Sequence, residues 1–225
     1  MHNLFEHLIA NEFFLLARDD HNGHPYLGPA IEATALAAAL LGELLIDRLS
    51  VIHQGLVYDQ SHTLDSRPQS DQLRIRGDPA LHTGMHFIAG QRQPPPVTAL
   101  IEFLADKVHQ PIVDRLVSAG EIEVKRTLRG VRYVPASLFA WGRPRTRLWG
   151  AATYDGRYAP MKPTEQVRLL AGLVLATGLE SRVTPLVSTV EVKEGLAGLT
   201  DGLADDLQIV VGSVVQTVRR IVTRR

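Results

Sequence analysis

The sequence predicts a mainly α-helical protein, a single globular helical domain over residues 1–225 with one projecting β-hairpin and a weaker pattern for a second small hairpin. Two observations favour this class. Apolar residues recur every three to four positions through most of the chain, which is the period of an amphipathic helix. Strand-like alternation is confined to a few short segments. The 225 residues, of which 45% are hydrophobic, provide enough apolar side chains for one core.

Two helices are predicted before residue 50. Residues 4–16 place apolar side chains on one face, and a polar turn follows at residues 19–25. Pro29 suits the first turn of the second helix, which extends to about Asp47. Because the centre of this helix is apolar nearly all round, we expect it to be buried, and its one interior acid, Glu43, then needs a partner.

The middle of the chain predicts a small hairpin and three helices. Residues 49–58 and 73–76 alternate loosely between apolar and polar, and they predict two paired strands across a polar loop. An Asp-Pro pair, typical of an N-cap and a first helical position, predicts a helix over residues 78–89. Two short helices follow at residues 97–105 and 108–119.

The second half begins with the projecting hairpin. Residues 121–126 and 131–135 have a strand-like pattern and are joined by a basic turn. Residues 141–162, rich in Gly, Pro, Arg and aromatic residues, are expected to be irregular. A helix is predicted over residues 163–178, and a C-terminal amphipathic helix over residues 196–225.

The charge of the chain is zero overall but unevenly distributed. Residues 1–113 carry 13 acids and 7 bases, whereas residues 114–225 carry 11 acids and 17 bases. The zero total excludes a strongly basic nucleic-acid protein. The asymmetry indicates an anionic partner for one face, although mixing of the two halves by the fold explains it equally well. A stretch without acids holds seven of the bases: Lys125, Arg126, Arg129, Arg132, Arg143, Arg145 and Arg147.

No motif for catalysis or cofactor binding is present. The chain has no cysteine, and it lacks a Gly-x-Ser-x-Gly elbow, a Walker loop and a dinucleotide-binding glycine motif. We therefore expect no enzyme activity and no cofactor. Asp78, His82 and His86 have a spacing that a metal site would use, but no further ligand accompanies them. We expect an N-cap aspartate and two surface histidines rather than a metal site.

The basic hairpin has two interpretations. Two helices followed by a hairpin, residues 97–135, are the outline of a winged helix, which would place Arg126, Arg129 and Arg132 on phosphates. The helix before the hairpin is mostly apolar, however, and offers few side chains that read bases. Arginines mixed with aromatic residues such as Trp141 and Trp149 favour the alternative, an anionic membrane surface.

The basic C-terminus also has two interpretations. Cations are favoured at the C-terminal end of a helix by its dipole, which is the simpler explanation. The alternative is a second contact with a membrane or a partner. The residues concerned are Arg219, Arg220, Arg224 and Arg225.

Four segments, taken in order, resemble the Golgi phosphoprotein 3 family. Residues 14–20 (FLLARDD) are similar to its opening helix and acidic turn, and residues 35–49 (ALAAALLGELLIDRL) to its signature helix. Residues 77–81 (GDPAL) and 116–122 (LVSAGEI) resemble the start of a later helix and the lead into the hairpin. The resemblance extends over roughly residues 11–180.

The resemblance implies a mostly helical domain that binds the cytosolic face of a membrane and recognises phosphatidylinositol 4-phosphate, without enzyme activity. It also implies binding to cytoplasmic tails of membrane proteins, at the Golgi in eukaryotic members. The many Arg, Ala and Gly residues suggest GC-rich coding and a bacterial source, for which we expect the cytoplasm or the inner face of the plasma membrane.

The head-group positions of the family are not retained. A Trp and three Arg residues in eukaryotic members fall on Gly28, Ala37, Asp106 and His109. The sequence therefore does not name the lipid, and general attraction to anionic lipids is expected.

Nearby residues are candidates to replace the family's head-group side chains: Tyr26, Lys107, His109 and Arg115. The candidates to face the membrane from the hairpin and the loop after it are Arg126, Arg129, Arg132, Arg143, Arg145 and Arg147. An exposed hairpin edge would also allow pairing with a second copy of the chain. We expect no nucleic-acid partner.

Overall fold

Helices dominate the computed structural model, which describes residues 8–127, 130–153 and 162–224. The helices are α1 (Ile9–Leu16), α2 (Pro29–Ile46), α3 (Gln69–Arg76), α4 (Pro79–Ala89), α5 (Val97–Ala105), α6 (His109–Ser118), α7 (Leu138–Thr153), α8 (Glu165–Thr177), α9 (Thr189–Thr200) and α10 (Asp205–Thr223). Two antiparallel hairpins pair β1 (Ser50–His53) with β2 (Leu56–Asp59) and β3 (Ile122–Thr127) with β4 (Gly130–Pro135). The prediction of a mainly α-helical fold is confirmed.

Helix α2 is the centre of the core. Its small, apolar residues let α1, α5, α8 and α10 pack closely around it. At Gly42 the side chain of Leu169 fills the space where a Cβ would stand, so any larger residue there would have to displace Leu169. By length and composition α2 could cross a membrane, but 72% of that window is buried inside the protein, as in a core helix.

Several predicted helix ends are confirmed with their capping contacts. The Asp78 carboxylate accepts hydrogen bonds from the backbone N–H groups of Ala80 (2.9 Å) and Leu81 (3.2 Å) at the start of α4. Helix α8 ends at Gly178, whose φ of 75° is the left-handed conformation that glycine adopts without strain. Each of these helix ends depends on residues close together in the chain, so it can be predicted from the sequence.

The small hairpin was predicted with the wrong second strand. Both strands lie within residues 50–59, joined by a tight turn in which Gln54 and Gly55 have φ angles of 51° and 76°. Residues 73–76 belong instead to α3, where Ile75 is buried and Leu73 is 63% exposed. Four alternating residues are too few to distinguish a strand from one turn of helix.

The region expected to be irregular is largely helical. Helix α7 includes Pro144, and its buried residues Trp141, Pro144 and Leu148 follow a helical spacing. Glycine and proline lower the local helix propensity, but packing against α1, α8 and α9 outweighs that preference. Residues 154–161 lie outside the described residues.

The predicted C-terminal helix is two helices. Helix α9 ends at Thr200, and α10 begins at Asp205 after a turn. At Gly202 the Arg168 guanidinium occupies the space that a side chain would need, and Arg168 Nη1 donates to the Leu199 carbonyl (2.8 Å). The turn lets α10 pack along α2 and α5, which one straight helix could not do.

Candidate functional site

Arg115 lies in the core and not at the surface. Its side chain is 0% exposed, and Nε donates to Asn11 Oδ1 (2.8 Å). Its Nη1 donates to Glu43 Oε2 (3.0 Å) and to Asp78 Oδ2 (2.7 Å). These four residues, here called the core ion cluster, join α1, α2, α6 and the start of α4. Arg115 therefore does not contact a head group, and Glu43 has the partner that its burial requires.

The electrostatics of the core ion cluster follow from its burial. Desolvation raises the pKa of the Glu43 carboxyl, although Arg115 opposes that shift. Burial lowers the pKa of Arg115, but Glu43 and Asp78 outweigh it and the net shift is upward. The Ala10 N–H also donates to Glu43 Oε1 (2.8 Å). The cluster holds four segments in register and leaves no polar group accessible to a ligand.

Two arginines of α7 form ion pairs with largely buried carboxylates. Arg147 Nη1 donates to both oxygens of Glu12 (2.8 and 2.9 Å), whose side chain is 0% exposed. Arg143 Nη2 donates to Glu121 Oε1 (2.9 Å), whose side chain is 5% exposed. Both guanidinium groups hold α7 against the rest of the fold and lie on a helix instead of the expected irregular loop; their contact with a membrane stays a prediction.

Arg145 connects three segments. It forms an ion pair with Asp20, and its Nη2 donates to the Arg18 carbonyl (3.1 Å). Its Nε donates to the Arg182 carbonyl (2.7 Å). The side chain is 14% exposed and fully engaged in these contacts. Arg145 therefore links the turn at residues 19–25 to the 3₁₀ helix at residues 180–182, and its assignment to a membrane-facing surface stays a prediction.

The charge asymmetry along the chain is largely neutralised by pairing between the two halves. Arginines of the second half lie beside acids of the first half, as one of the two sequence interpretations proposed. The pairs are Arg115 with Glu43 and Asp78, Arg145 with Asp20, Arg147 with Glu12, and Arg220 with Glu102.

The hairpin of β3 and β4 keeps exposed cations. Lys125 and Arg126 are exposed and Arg132 is partly exposed, while Arg129 lies outside the described residues. In the register Arg126 is opposite Val131, and Lys125 is opposite Arg132. Each face of the hairpin therefore carries at least one cation.

Apolar side chains are exposed on the same hairpin. Val124 is 44% exposed and Val131 is 53% exposed. Both lie on the face that carries Arg126, because residues two apart share a face and cross-strand partners do too. Towards its base this face becomes buried, where Tyr133 packs against Phe14 with a ring-centroid distance of 5.6 Å. The hairpin thus presents cations and apolar groups together, away from the core.

A cavity of about 350 Å³ lies between β4 and the turn at residues 19–25. Its lining residues are Arg18, Gly23, His24, Pro25, Val131, Arg132 and Tyr133. Gly23, with a φ of 69°, is pressed against the Tyr133 carbonyl, which leaves no room for a side chain. This contact fixes the turn against the hairpin and so defines the cavity.

Arg18 lines this cavity, and most of its guanidinium is engaged within the protein, although its buried Nε has no hydrogen-bond partner. Its side chain is 3% exposed and forms an ion pair with Glu32. The guanidinium also stacks on Phe14, 3.4 Å from the ring centroid. Burial lowers the pKa of Arg18, and Glu32 opposes that shift. Arg132 and His24 are the other two lining residues with basic side chains.

The other candidate head-group residues do not converge on one site. The His109 ring lies 5.8 Å from Phe14 and 5.7 Å from Tyr133 between ring centroids, at the base of the hairpin. Burial lowers the pKa of His109. The Tyr26 hydroxyl donates to Asp19 Oδ2 (3.2 Å), and burial raises the pKa of Tyr26.

The positions that align with the family's head-group residues are spread over the fold. Gly28 is the N-cap of α2, and Ala37 is fully buried. Asp106 is the exposed C-cap of α5, and Lys107 next to it is exposed too. The sequence missed Arg132 and His24 as neighbours, since only the packing of β4 on the turn brings them together.

The residues of the two alternative sequence motifs lie in different surroundings in the fold. Asp78 belongs to the core ion cluster, whereas His82 and His86 are exposed, and no group of three metal-ligand side chains gathers among the described residues. On the exposed side of α6 the Asp114 carboxylate accepts a hydrogen bond from Gln110 (2.7 Å). A carboxylate at the centre of that face is unfavourable for contact with DNA phosphates.

The comparison with protein families agrees with the four segments identified in the sequence. The family model described as Golgi phosphoprotein 3 (GPP34) matches residues 9–221, which is nearly the whole chain. No curated protein matches the chain.

Proposed function

Because the chain belongs to the Golgi phosphoprotein 3 family, we propose that it is a non-enzymatic peripheral membrane protein that binds anionic lipid head groups, phosphoinositides among them. The observation that carries this proposal is the β3–β4 hairpin, which presents Lys125, Arg126 and Arg132 together with exposed Val124 and Val131. It acts from the cytosolic face of a membrane.

The hairpin has the two properties that reversible membrane binding needs. Each Lys or Arg close to an anionic bilayer contributes roughly 1 kcal/mol of binding free energy. Exposed valines add apolar area that is removed from water at the boundary between head groups and acyl chains. Three cations alone give weak attachment, so the valines and the neighbouring cavity must contribute as well.

The cavity beside β4 supports recognition of a head group. Its volume of about 350 Å³ lies at the lower end of the range for small-ligand sites. Arg132 offers a planar, bidentate guanidinium that suits phosphate oxygens, and His24 offers a ring nitrogen. Because these residues differ from those of the family's phosphoinositide site, we expect preference for anionic lipids without strict selection of phosphatidylinositol 4-phosphate.

A protein held on a membrane by its hairpin is suited to act as an adaptor. The opposite end of the molecule, around the C-terminus of α2, then faces away from the bilayer and is available to partners such as cytoplasmic tails of membrane proteins. Pairing of two hairpins through their edges would double the number of cations at the surface.

Vesicle co-flotation tests the proposal. The full chain is mixed with vesicles of phosphatidylcholine alone, or with added phosphatidylserine or phosphatidylinositol 4-phosphate. Flotation with both anionic mixtures is expected, weakening as salt is raised. If the protein floats with neither anionic mixture at physiological salt, the proposal is overturned.

A matched pair of charge reversals sharpens the test. Arg126→Glu with Arg132→Glu is expected to reduce flotation strongly. Arg76→Glu with Arg92→Glu changes the net charge equally at two exposed positions outside the hairpin and should leave flotation nearly unchanged. An equal loss in both variants would show that only net charge matters, and that the hairpin is not the binding surface.

A further inference from the structure

The two most exposed large apolar side chains among the described residues lie far from the hairpin in sequence. Leu186 is 82% exposed and Val190 is 64% exposed. They belong to the segment between the short 3₁₀ helix Glu180–Arg182 and the first turn of α9. Both side chains are therefore exposed to water, where large apolar residues gain nothing from burial.

This segment lies beside the turn that forms the cavity. The Arg182 guanidinium lies 4.0 Å from the centroid of the Tyr26 ring. Arg145 donates to the Arg182 carbonyl and also holds Asp20. The opposite side of the same turn packs on β4 through Gly23. The order across the surface is therefore the hairpin, the turn at residues 19–25, and the segment that leads to α9.

The contacts of α7 show how the segment around Arg182 is placed relative to the hairpin. Helix α7 starts three residues after β4 ends, so its first half is the half near the hairpin. Arg145, in the middle of α7, contacts Arg182, whereas Ala152 near its end contacts Gly195 (3.1 Å to the position of an added Cβ). The chain from Arg182 to Gly195 therefore runs in the same direction as α7, with Arg182 on the side nearer the hairpin.

The segment is held by local hydrogen bonds, and its acids, Glu180 and Glu191, lie at its two ends. Residues 181–190 contain one base, Arg182, and no carboxylate. The Leu186 N–H donates to Thr184 Oγ1 (3.2 Å), and Ser188 forms a capping box with Glu191. The Glu191 carboxylate is held by Ser188 at 3.0 Å. The backbone that carries Leu186 and Val190 is therefore held before the protein meets a membrane, which lowers the entropy lost when these side chains enter the bilayer.

We propose that residues 182–190 form a second membrane contact, in which Leu186 and Val190 enter the same anionic bilayer as the hairpin and Arg182 lies among the head groups. This inference rests on the proposed function, because it uses the same membrane. Two contacts on either side of the cavity fix the orientation of the protein on the bilayer and place the cavity opening at the level of the phosphates.

Site-specific labelling tests this contact directly. The chain has no cysteine, so Leu186→Cys, Val131→Cys and Leu73→Cys each provide one site for an environment-sensitive nitrobenzoxadiazole dye. Leu73 is a matched control, 63% exposed, on α3, whose Arg74 pairs with Asp47 at the other end of α2. With phosphatidylserine vesicles we expect a blue shift and higher intensity at positions 186 and 131, and no change at position 73.

The outcomes separate this inference from the proposed function. A shift at position 131 without one at position 186 overturns the second contact alone. The absence of a shift at both positions overturns both. A shift at position 186 that depends on protein concentration and needs no vesicles would show a contact between copies of the chain, which also overturns the inference.

A charge substitution gives an independent readout. Leu186→Asp with Val190→Asp is expected to weaken partitioning into phosphatidylserine vesicles by about tenfold or more, because two apolar groups lose their transfer free energy and two negative charges are placed beside an anionic surface. Both positions are exposed, so the urea midpoint and circular dichroism spectrum should remain unchanged. Leu73→Asp should leave partitioning unaffected, and an equal effect in both variants would contradict the proposed contact.

Discussion

Arginine has opposite roles in two regions of this protein. In the core ion cluster, Arg115 is fully buried between Glu43 and Asp78 and contributes to the fold. On the β3–β4 hairpin, Arg126 is exposed and has no role in packing. A run of basic residues in a sequence is therefore not one surface, since a guanidinium with a buried carboxylate partner is structural and an exposed one is available to a ligand.

The largest effect is expected from removal of the buried cation. Arg115→Met leaves two carboxylates buried without their counter-ion, and we expect the free energy of unfolding to fall by about 3–5 kcal/mol. Urea titration followed by circular dichroism measures this loss. Arg126→Met is the control and should change stability by less than about 0.5 kcal/mol. Similar losses in both variants would remove the distinction between the two regions.

A smaller loss is expected at the edge of the core. Arg147→Gln removes two hydrogen bonds from the Glu12 carboxylate, which is 0% exposed, while Arg147 itself is 24% exposed. We expect a loss of about 1–3 kcal/mol in the free energy of unfolding. The affinity of the folded variant for anionic vesicles should equal that of the unchanged protein. A variant of normal stability with weak vesicle binding would instead place Arg147 on the membrane surface.

For the exposed hairpin cation we expect a loss of vesicle affinity without a loss of stability. Arg126→Gln should lower the affinity for phosphatidylserine vesicles about fivefold, which corresponds to roughly 1 kcal/mol for one cation near the bilayer. The urea midpoint should not move. Vesicle sedimentation at two salt concentrations measures the affinity, and the difference between variant and unchanged protein should shrink at the higher salt. A difference that does not depend on salt would argue against an electrostatic contact.

The smallest expected effect is on the pH dependence of stability. It comes from His109, which lies at the base of the β3–β4 hairpin on the same helix as Arg115. Burial lowers its pKa below the usual 6.5; Glu32 opposes this shift and Arg18 adds to it. Since the unfolded chain then binds the proton more readily, His109 contributes stability that is present above pH 6.5 and is lost as the pH falls towards its folded pKa. His109→Asn should reduce the dependence of the urea midpoint on pH between 7.5 and 5.5. An unchanged slope would show that other groups cause it.

The elements that the sequence predicts correctly are those with local signals. The Asp78 cap, the Gly178 end of α8 and the apolar centre of α2 each depend on residues close together in the chain. Helix α7 was missed because Gly142, Pro144 and Gly150 weaken its local preference, and its stability comes from packing with distant segments. The cavity was missed for the same reason, since Arg132 and His24 are far apart in sequence.

The family, the mainly helical class, the position of the hairpin and the uneven charge of the two halves can all be read from the amino-acid sequence. Which cations are exposed depends on contacts between distant segments of the fold. Arg115 meets its partners across separations of 104, 72 and 37 residues, and no local pattern records such contacts. The physical reason is that a buried charge must find an opposite charge wherever the fold supplies one, whereas an exposed charge is solvated by water and needs no partner.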